Sequence, residues 1–247
     1  MSRCIVIIGA TSTICRQVAV EMVRPNDRVC LAARNFSELS RIAADLQIRN
    51  NPELIIIRQF DTGDFDAHHL LIDEIHQSLG GMDVVLVGTG ALGDQMAARS
   101  SIPAIKEIIN SNFVGIATML APVANIMETQ RGGSIAVLTS VAGDRGRQSN
   151  YIYGSAKSGM TAYLSGLRNR LSTLGVTVLT IKLGFVDTKM IAGMSGAFLR
   201  ASPHEVARSI VARLEGGGGT VYFPWFWRYI MLIIVHIPEF VFSRLKL

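Results

Sequence analysis

The 247-residue sequence has few cysteines, little charge and no dense run of basic residues, and each shortage excludes a class of protein. Its three cysteines, Cys4, Cys15 and Cys30, are too few for a disulfide framework and lack metal-site spacing. We therefore expect reduced thiols, no bound metal and a cytoplasmic location. The excess of 24 Lys and Arg over 19 Asp and Glu is small and unclustered, which argues against a nucleic-acid partner.

Charged residues make up only 17% of the chain, whereas hydrophobic residues make up 49%. A chain this apolar can offset the entropy of ordering by burial, which excludes intrinsic disorder. The first apolar run, Cys4–Ile8, stops at Gly9 and is too short for a secretory signal. The length fits one large domain or two small ones.

Short apolar runs alternate with longer segments of helical periodicity along the chain. Near-continuous β-branched runs between helices are typical of a parallel sheet covered on both faces. The pattern predicts an α/β fold, a single doubly wound, Rossmann-type domain over residues 1–224, with a seven-stranded parallel sheet and helices on both faces. In such sheets ligands bind beyond the carboxyl ends of the strands. The predicted strands span residues 4–8, 28–33, 54–60, 84–87, 134–139, 176–181 and 220–223.

A glycine turn follows the first predicted strand, in the sequence GATSTI at 9–14. Such a turn can bring backbone N–H groups and a helix N-terminus to a pyrophosphate. A full dinucleotide fingerprint has three glycines, but Thr13 and Cys15 occupy the later two places, so an ordinary strand–helix turn is the alternative. The candidate cofactor-binding residues of this turn are Gly9, Thr11, Ser12, Thr13 and Ile14.

The next two strand ends carry further residues suited to a dinucleotide. An acidic residue after the second strand would bind the ribose of NAD, whereas the arginine found there, Arg34, suits the 2′-phosphate of NADP. Asp61 and Thr62 end the third strand and would meet the adenine. A surface arginine and an ordinary turn aspartate are the plain alternatives.

Ser140, Tyr153 and Lys157 form the strongest constellation. Tyr153 and Lys157 are four residues apart and share one face of a helix. A lysine ammonium beside a phenol lowers the pKa of the phenol, so the tyrosine can exchange a proton with a carbonyl or an alcohol. Ser140 follows the fifth strand and can hydrogen-bond the same substrate oxygen. Alone, such a Tyr–Lys pair is a common surface feature; the serine and the nucleotide pattern favour catalysis.

These motifs together resemble the short-chain dehydrogenase/reductase family over essentially the whole chain. The matching positions are GATS at 9–12, Asp61, NFVG at 112–115, Ser140, Tyr153, Lys157 and GFVDT at 184–188. The resemblance implies an oxidoreductase that reduces a ketone to a secondary alcohol, uses NADP(H) rather than NAD(H), and forms a homo-oligomer.

The resemblance also implies roles for individual residues. Tyr153 is the general acid and base, Lys157 lowers its pKa and binds the nicotinamide ribose, and Ser140 orients the substrate oxygen. Asn112 helps to hold a proton-relay water. The nicotinamide half of the cofactor would meet Val186 and Thr188, and Gly90 is a further candidate cofactor-binding residue.

Several positions depart from the family pattern. Besides Thr13 and Cys15, the sequence VGTG at 87–90 replaces Asn-Asn-Ala-Gly, and Leu183 replaces a proline. Cys15 bears on cofactor affinity, because a glycine there normally allows close packing of helix and strand. A family member that turns over poorly and serves as a binding subunit is therefore an alternative to an active enzyme.

Residues 142–153, together with 227–231 and 236–238, are similar to a narrower group, the keto-reductase components of decaprenylphosphoryl-ribose 2′-epimerases. The similarity implies as substrate the 2-keto-pentofuranose of a polyprenyl-phosphate-linked sugar, in a half-reaction that makes an arabinose donor for cell-wall biosynthesis. It also implies a flavin oxidase partner for the other half-reaction. Another lipid-like or acyl ketone is the alternative. Arg145 and Arg147 are candidate ligands of the substrate phosphate, with solvated loop arginines as the alternative.

The C-terminal extension, residues 225–247, is rich in aromatic residues. Residues 221–242 include 17 hydrophobic residues among 22, but prolines and charges leave an uninterrupted run too short to span a bilayer. We expect a helix in a homo-oligomer interface, or a peripheral anchor on the inner face of the cytoplasmic membrane. In the second case Arg228, Arg244 and Lys246 would face anionic lipid.

Overall fold

The computed structural model describes residues 2–188 and 200–245. Seven strands form one parallel sheet in the order β3-β2-β1-β4-β5-β6-β7. The doubly wound fold predicted from the sequence is confirmed, and the predicted strand ends differ from the observed ones by at most two residues. The strands are β1 (Cys4–Ile8), β2 (Arg28–Ala33), β3 (Leu54–Gln59), β4 (Val84–Val87), β5 (Gly133–Ser140), β6 (Val176–Leu183) and β7 (Gly219–Phe223).

Helices cover both faces of the sheet, so its central strands are buried on both sides. In β1, Val6 and Ile8 face one core, whereas Ile5 and Ile7 face the other, as the alternation of side chains along a strand requires. Residues of α1, α2 and α8 complete one core, and residues of α3, α6 and α7 the other. The helices are α1 (Thr13–Met22), α2 (Phe36–Asn50), α3 (Ala67–Leu79), α4 (Gln95–Ala98), α5 (Ile102–Ile109), α6 (Gly115–Gln130), α7 (Tyr151–Leu171), α8 (Pro203–Gly216), α9 (Trp227–His236) and α10 (Glu239–Phe242).

The strand order reverses beside β1. The chain builds β1, β2 and β3 outward in one direction and then returns to place β4 on the other side of β1. Because all seven strands are parallel, their carboxyl ends lie at one edge of the sheet. The reversal opens a crevice there, which is where open α/β sheets bind ligands.

A π-helical turn, Asn110–Val114, joins α5 to α6. Among the described residues, the helical stretch Ile102–Gln130 is the one that is long and apolar enough to cross a membrane, by length and composition only. Half of its most apolar 18-residue segment is buried, and Ile116, Met119 and Leu120 are fully buried against the sheet. These contacts are those of a core helix.

After β7 the chain forms α9 and α10. Trp227 and Met231 of α9 are buried and pack with Val141, which follows β5, so the C-terminal extension lies against the loop that leaves the fifth strand. Phe242 of α10 is also buried. Lys246 lies outside the described residues.

Candidate active site

A cavity of about 600 Å³ lies at the carboxyl ends of the strands. It is lined by the turns that follow β1 to β6, by α7 and by the start of α9. The candidate residues other than Arg145 therefore share one site. They are Gly9, Thr11, Ser12, Thr13, Ile14, Arg34, Asp61, Thr62, Gly90, Asn112, Ser140, Arg147, Tyr153, Lys157, Val186 and Thr188.

The turn between β1 and α1 has the shape of an anion cradle. Gly9 adopts a φ of +80°, and a Cβ there would lie 2.7 Å from the backbone nitrogen of Thr89, so only glycine fits. Ser12 is the N-cap residue of α1, but its side chain does not cap the helix backbone and instead bonds to the Cys15 thiol. The first N–H groups of α1 are thus left for a ligand, and the helix dipole favours an anion.

Cys15 and Gly88, two departures from the family pattern, compensate each other in space. Cys15 is fully buried in α1, and a Cβ on Gly88 would overlap its Sγ atom. The missing side chain after β4 thus provides the room that a glycine in α1 would otherwise provide. The expected conflict between Cys15 and close helix–strand packing does not arise.

The opposite end of the cavity, near β2 and β3, suits an adenosine. Arg34 is exposed there, and its side chain makes no hydrogen bond or ion pair within the described ranges. His68, 2% exposed, fixes the Asp61 turn, because its Nε2 lies 2.8 Å from the Asp61 carbonyl oxygen and its Nδ1 lies 2.9 Å from Thr118 Oγ1. Sequence reasoning missed His68, since its partners lie on distant segments.

Gly115 is a further position at which the structure explains why the residue is a glycine. A Cβ on Gly115 would overlap the carbonyl group of Thr62, so the glycine that ends the NFVG motif lets the turn at Asp61 and Thr62 lie on α6. The motif therefore contributes to both ends of the cavity, with Asn112 near Lys157 and Gly115 under the turn. The sequence showed the motif but not this contact.

The catalytic candidates meet between β5 and α7. Tyr153 and Lys157 are 8% and 4% exposed, and the Lys157 Nζ lies 5.7 Å from the centre of the Tyr153 ring. Lys157 donates a hydrogen bond to the Leu138 carbonyl oxygen at 3.3 Å. Ser140 Oγ accepts a hydrogen bond from the Ala142 N–H at 3.1 Å, which fixes the hydroxyl group at the carboxyl end of β5.

Burial, more than charge, sets the proton affinities in the ligand-free site. Burial raises the pKa of Tyr153 to about 12, and contact with the Ser140 hydroxyl offsets only part of this effect. Burial likewise lowers the pKa of Lys157 to about 8. The expected lowering of the tyrosine pKa by Lys157 is therefore not found, because loss of solvation dominates and the lowering comes from the Ser140 hydroxyl group. Tyr153 is protonated at neutral pH and can act as a proton donor.

Asn112 presents an unused acceptor beside the lysine. It is fully buried, and its amide group donates to the carbonyl oxygens of Ala91 at 2.6 Å and Ile108 at 2.9 Å. Its Oδ1 atom has no hydrogen-bond partner among the described residues. A Cβ on Gly90 would lie 2.6 Å from this oxygen and 3.2 Å from Lys157 Nζ, so both polar atoms border the space beside Gly90. That space suits a bridging water.

Arg145 does not lie in the cavity lining. Its Nη1 atom donates to the Ile234 carbonyl oxygen at 2.6 Å and also to that of Ile237, and its Nη2 atom pairs with Glu239 Oε2 at 2.9 Å. Its guanidinium also lies 3.7 Å from the centre of the Phe242 ring. The predicted contact with a substrate phosphate is not supported for Arg145, because the C-terminal extension already engages the group. Arg147 does line the cavity.

A family model described as short chain dehydrogenase matches residues 3–196. An uncharacterized oxidoreductase of Mycobacterium tuberculosis is 34% identical over 241 residues, which cover 98% of this chain and 96% of the relative. The 3-oxoacyl-acyl-carrier-protein reductase of Mycobacterium avium is 25% identical over 182 residues, 74% of this chain and 71% of that protein.

The fold recurs in solved structures. An alcohol dehydrogenase from the archaeon Thermococcus sibiricus, complexed with 5-hydroxy-NADP, superposes with a TM-score of 0.78 at 20% identity, over 90% of this chain and 96% of that one. At this identity the likeness establishes the fold. The family match and the mycobacterial relative extend over most of the chain, and this chain therefore belongs to the short-chain dehydrogenase family of oxidoreductases.

Proposed function

We propose that the protein is an NADP(H)-dependent ketoreductase that converts a ketone to a secondary alcohol. The observation that carries the proposal is the convergence of Ser140, Tyr153 and Lys157 in the cavity that also holds the anion cradle at Gly9. When bound, NADPH supplies the hydride for the ketone carbon.

The cavity fits that cofactor on structural grounds. The cradle at Gly9 offers backbone N–H groups to a pyrophosphate, and Arg34, whose side chain is exposed and has no partner within residues 2–188 and 200–245, offers its guanidinium to a 2′-phosphate at the adenine end. We infer NADP(H) rather than NAD(H) because an arginine, not an acid, follows β2. Val186, Thr188 and Gly90 border the nicotinamide end.

Each catalytic side chain has one task in this proposal. Tyr153, which is protonated at neutral pH, donates its proton to the developing alkoxide, and the Ser140 hydroxyl group holds the same oxygen. A water in the space beside Gly90, held by Asn112 Oδ1 and the Lys157 ammonium, would pass a proton from bulk solvent to the tyrosinate that this step leaves.

For the substrate we propose the 2-keto-pentofuranose of a polyprenyl-phosphate-linked sugar. Support comes from residues 142–153, together with 227–231 and 236–238, which resemble the epimerase keto-reductases and contribute residues to the cavity lining. A flavin oxidase would then produce the ketone from the 2′-hydroxyl group. An acyl ketone is the second candidate, favoured by the likeness to the mycobacterial 3-oxoacyl reductase. A binding subunit without turnover is the third.

We further propose that the C-terminal extension rests on a membrane surface. Its buried residues hold it to the domain, whereas Trp225, Ile233 and Phe240 are 70%, 69% and 68% exposed. Arg228 and Arg244 are exposed on the same short segment, which suits anionic lipid headgroups. A homo-oligomer interface is the alternative occupant of this apolar surface.

The activity is tested by following NADPH oxidation with a polyprenyl-phosphoryl 2-keto-pentose and with an acetoacetyl thioester in parallel. Oxidation with the first supports the sugar proposal, and oxidation with only the second supports the acyl alternative. A fluorescence titration with NADPH distinguishes an active reductase from a binding subunit without turnover, because a binding subunit with an impaired cofactor site does not bind the nucleotide.

The membrane proposal is tested by sedimentation with liposomes that contain anionic lipid. A variant with Trp225→Ser, Ile233→Ser and Phe240→Ser should lose binding while the buried Trp227 and Met231 keep the fold. The matched control is Ile48→Ser on α2, since Ile48 is 84% exposed elsewhere. Equal binding by both variants refutes the anchor, and a change in sedimentation mass without any lipid effect supports the oligomer interface.

A further inference from the structure

Polar side-chain atoms without a partner are concentrated in the active-site cavity. Among the described residues, eight side-chain nitrogen or oxygen atoms are shielded from solvent and make no hydrogen bond. Five of the eight belong to residues that line the cavity. An unpaired buried polar atom costs stability, so such a concentration indicates groups kept for a ligand. The five residues are Thr89, Asn112, Arg147, Asn150 and Trp227.

Three of these residues lie at the substrate end of the cavity. The sheet order places β5, β6 and β7 on the side of β4 away from β2 and β3, where Arg34 lies. Arg147 and Asn150 belong to the loop between β5 and α7, and Trp227 begins α9 after β7. They therefore border the space beyond the catalytic tyrosine, opposite the adenine end.

Arg147 contributes a cation that forms no ion pair within the part of the chain that the structure describes. The acid closest in sequence, Asp144, is already engaged by the Lys182 ammonium and by the Tyr222 hydroxyl group, which donates to Asp144 Oδ2 at 3.0 Å. Within residues 2–188 and 200–245, the Arg147 guanidinium forms no ion pair and no hydrogen bond. Glu107 also lines the cavity, but it is exposed and pairs with no described cation.

Arg147 is also partly buried, so its charge is only partly solvated by water. Burial lowers the pKa of Arg147, and the Asp144 carboxylate opposes that change. A guanidinium stays charged in proteins. A half-buried cation without an anion in contact is poorly solvated, so an anionic ligand that enters the cavity gains a charge-assisted, two-pronged contact.

Asn150 and Trp227 add neutral groups beside the cation. Asn150 is the N-cap residue of α7, yet its side chain does not cap the helix; instead Gln95 Oε1 accepts from the Ile152 N–H at 3.1 Å. The Trp227 indole lies against Gly184, where a Cβ would overlap it, and its N–H group has no acceptor among the described residues. The unpartnered atom of Asn150 is its Oδ1. The indole N–H can donate to a phosphate oxygen, and the amide oxygen can accept from a hydroxyl group next to the phosphate.

We propose that Arg147, Asn150 and Trp227 form a subsite for a phosphate ester that the substrate carries close to its ketone. The inference rests on the proposed ketoreductase function and narrows its substrate class to phosphorylated hydroxyketones. Free phosphomonoesters and lipid-linked phosphodiesters share this chemistry. The probes in the test separate the two sources.

The test compares three ketones with the full-length protein and NADPH. The probes are dihydroxyacetone, dihydroxyacetone phosphate and the farnesyl phosphodiester of dihydroxyacetone. The wild type should have a kcat/KM at least about 10-fold higher for a phosphate ester than for the neutral ketone, since a charged hydrogen bond contributes that much or more. A larger gain for the diester indicates a lipid-linked substrate, and a larger gain for the monoester a free sugar phosphate.

The variants assign this preference to Arg147. Arg147→Gln should reduce the preference to near unity, whereas Arg147→Lys, which keeps a point charge, should retain part of it. The matched control is Arg208→Gln, which removes an exposed arginine on α8 and should keep the wild-type preference. Equal kcat/KM values for neutral and phosphorylated ketones in the wild type, or an undiminished preference in Arg147→Gln, overturn the subsite.

A binding measurement separates this proposal from the proposed function. Calorimetric titration of the NADP⁺-saturated protein should show tighter binding of dihydroxyacetone phosphate than of dihydroxyacetone, and Arg147→Gln should abolish the difference. Selective binding without reduction of any ketone preserves the subsite and refutes the ketoreductase. Reduction of ketones without selectivity for phosphate preserves the ketoreductase and refutes the subsite.

Discussion

The contact between Cys15 and Gly88 makes a prediction that two single variants and their combination can test. The Sγ atom of Cys15 occupies the space in which any Cβ at position 88 would lie. The Leu138 Cδ1 atom would lie 3.0 Å from the same Cβ, so a new methyl group is obstructed on two sides. Gly88 does not have a positive φ, so an alanine there faces crowding rather than backbone strain.

The free energies of unfolding follow from this geometry. Gly88→Ala should destabilise the protein by about 3 kcal/mol, the upper part of the range for overpacking. Cys15→Ala removes one buried sulfur atom and should cost about 1 kcal/mol. If the two were independent, the double variant would lose about 4 kcal/mol. Because the sulfur is absent where the methyl group is added, we expect a loss of only about 1–2 kcal/mol.

Urea unfolding followed by tryptophan fluorescence measures all four free energies, and an NADPH titration shows whether the nucleotide turn keeps its shape. The expected coupling between the two substitutions is about 2–3 kcal/mol. If the losses of unfolding free energy of the two single variants add up to that of the double variant within about 0.5 kcal/mol, the two positions do not share space. That result would refute the compensation between Cys15 and Gly88.

Three further predictions follow from single contacts. Burial lowers the pKa of Lys157 to about 8 from 10.5, so between these pH values the unfolded state holds a proton that the folded state lacks. The free energy of unfolding of the wild type should therefore rise with pH relative to that of Lys157→Met, by up to about 3 kcal/mol. A difference between the two proteins that does not change with pH would contradict this. Gly90→Ala places a methyl group against Asn112 Oδ1 in the space for the proposed relay water and strains a backbone with a φ of +151°. It should lower kcat at least about 10-fold and also lower the free energy of unfolding, and unchanged turnover would exclude a relay there. Arg145→Gln frees the end of α9, so limited trypsin digestion should cut the extension faster than in the wild type, and equal rates would show that other contacts hold it.

The fold could be predicted because local signals agree with tertiary placement. β1 is a continuous apolar run that is buried on both faces, which a parallel strand in a doubly wound sheet requires. Tyr153 and Lys157 could be paired from their spacing alone, because the helical period brings positions four apart to one face. Ser140 could be placed with them, since the carboxyl end of β5 opens onto the same crevice.

Contacts between distant segments could not be predicted in this way. Cys15 looked unfavourable on its own, and only the structure brings Gly88 against it. Arg145 looked free to bind a phosphate, because its partners lie near the C-terminus, on the carbonyl groups that end α9. The pKa of Tyr153 also depends on burial, which the Tyr-x-x-x-Lys spacing does not reveal.

The central claim is that Tyr153 donates the proton in a reduction driven by NADPH. The most direct measurement compares kcat for Tyr153→Phe and the wild type on a ketone that the wild type reduces, alongside the NADPH dissociation constant of each. We predict that kcat falls by about 10²–10⁴-fold while NADPH affinity is kept, because the phenylalanine fills the same space without a proton to donate. A kcat near the wild-type value would contradict the assignment of Tyr153 as the acid.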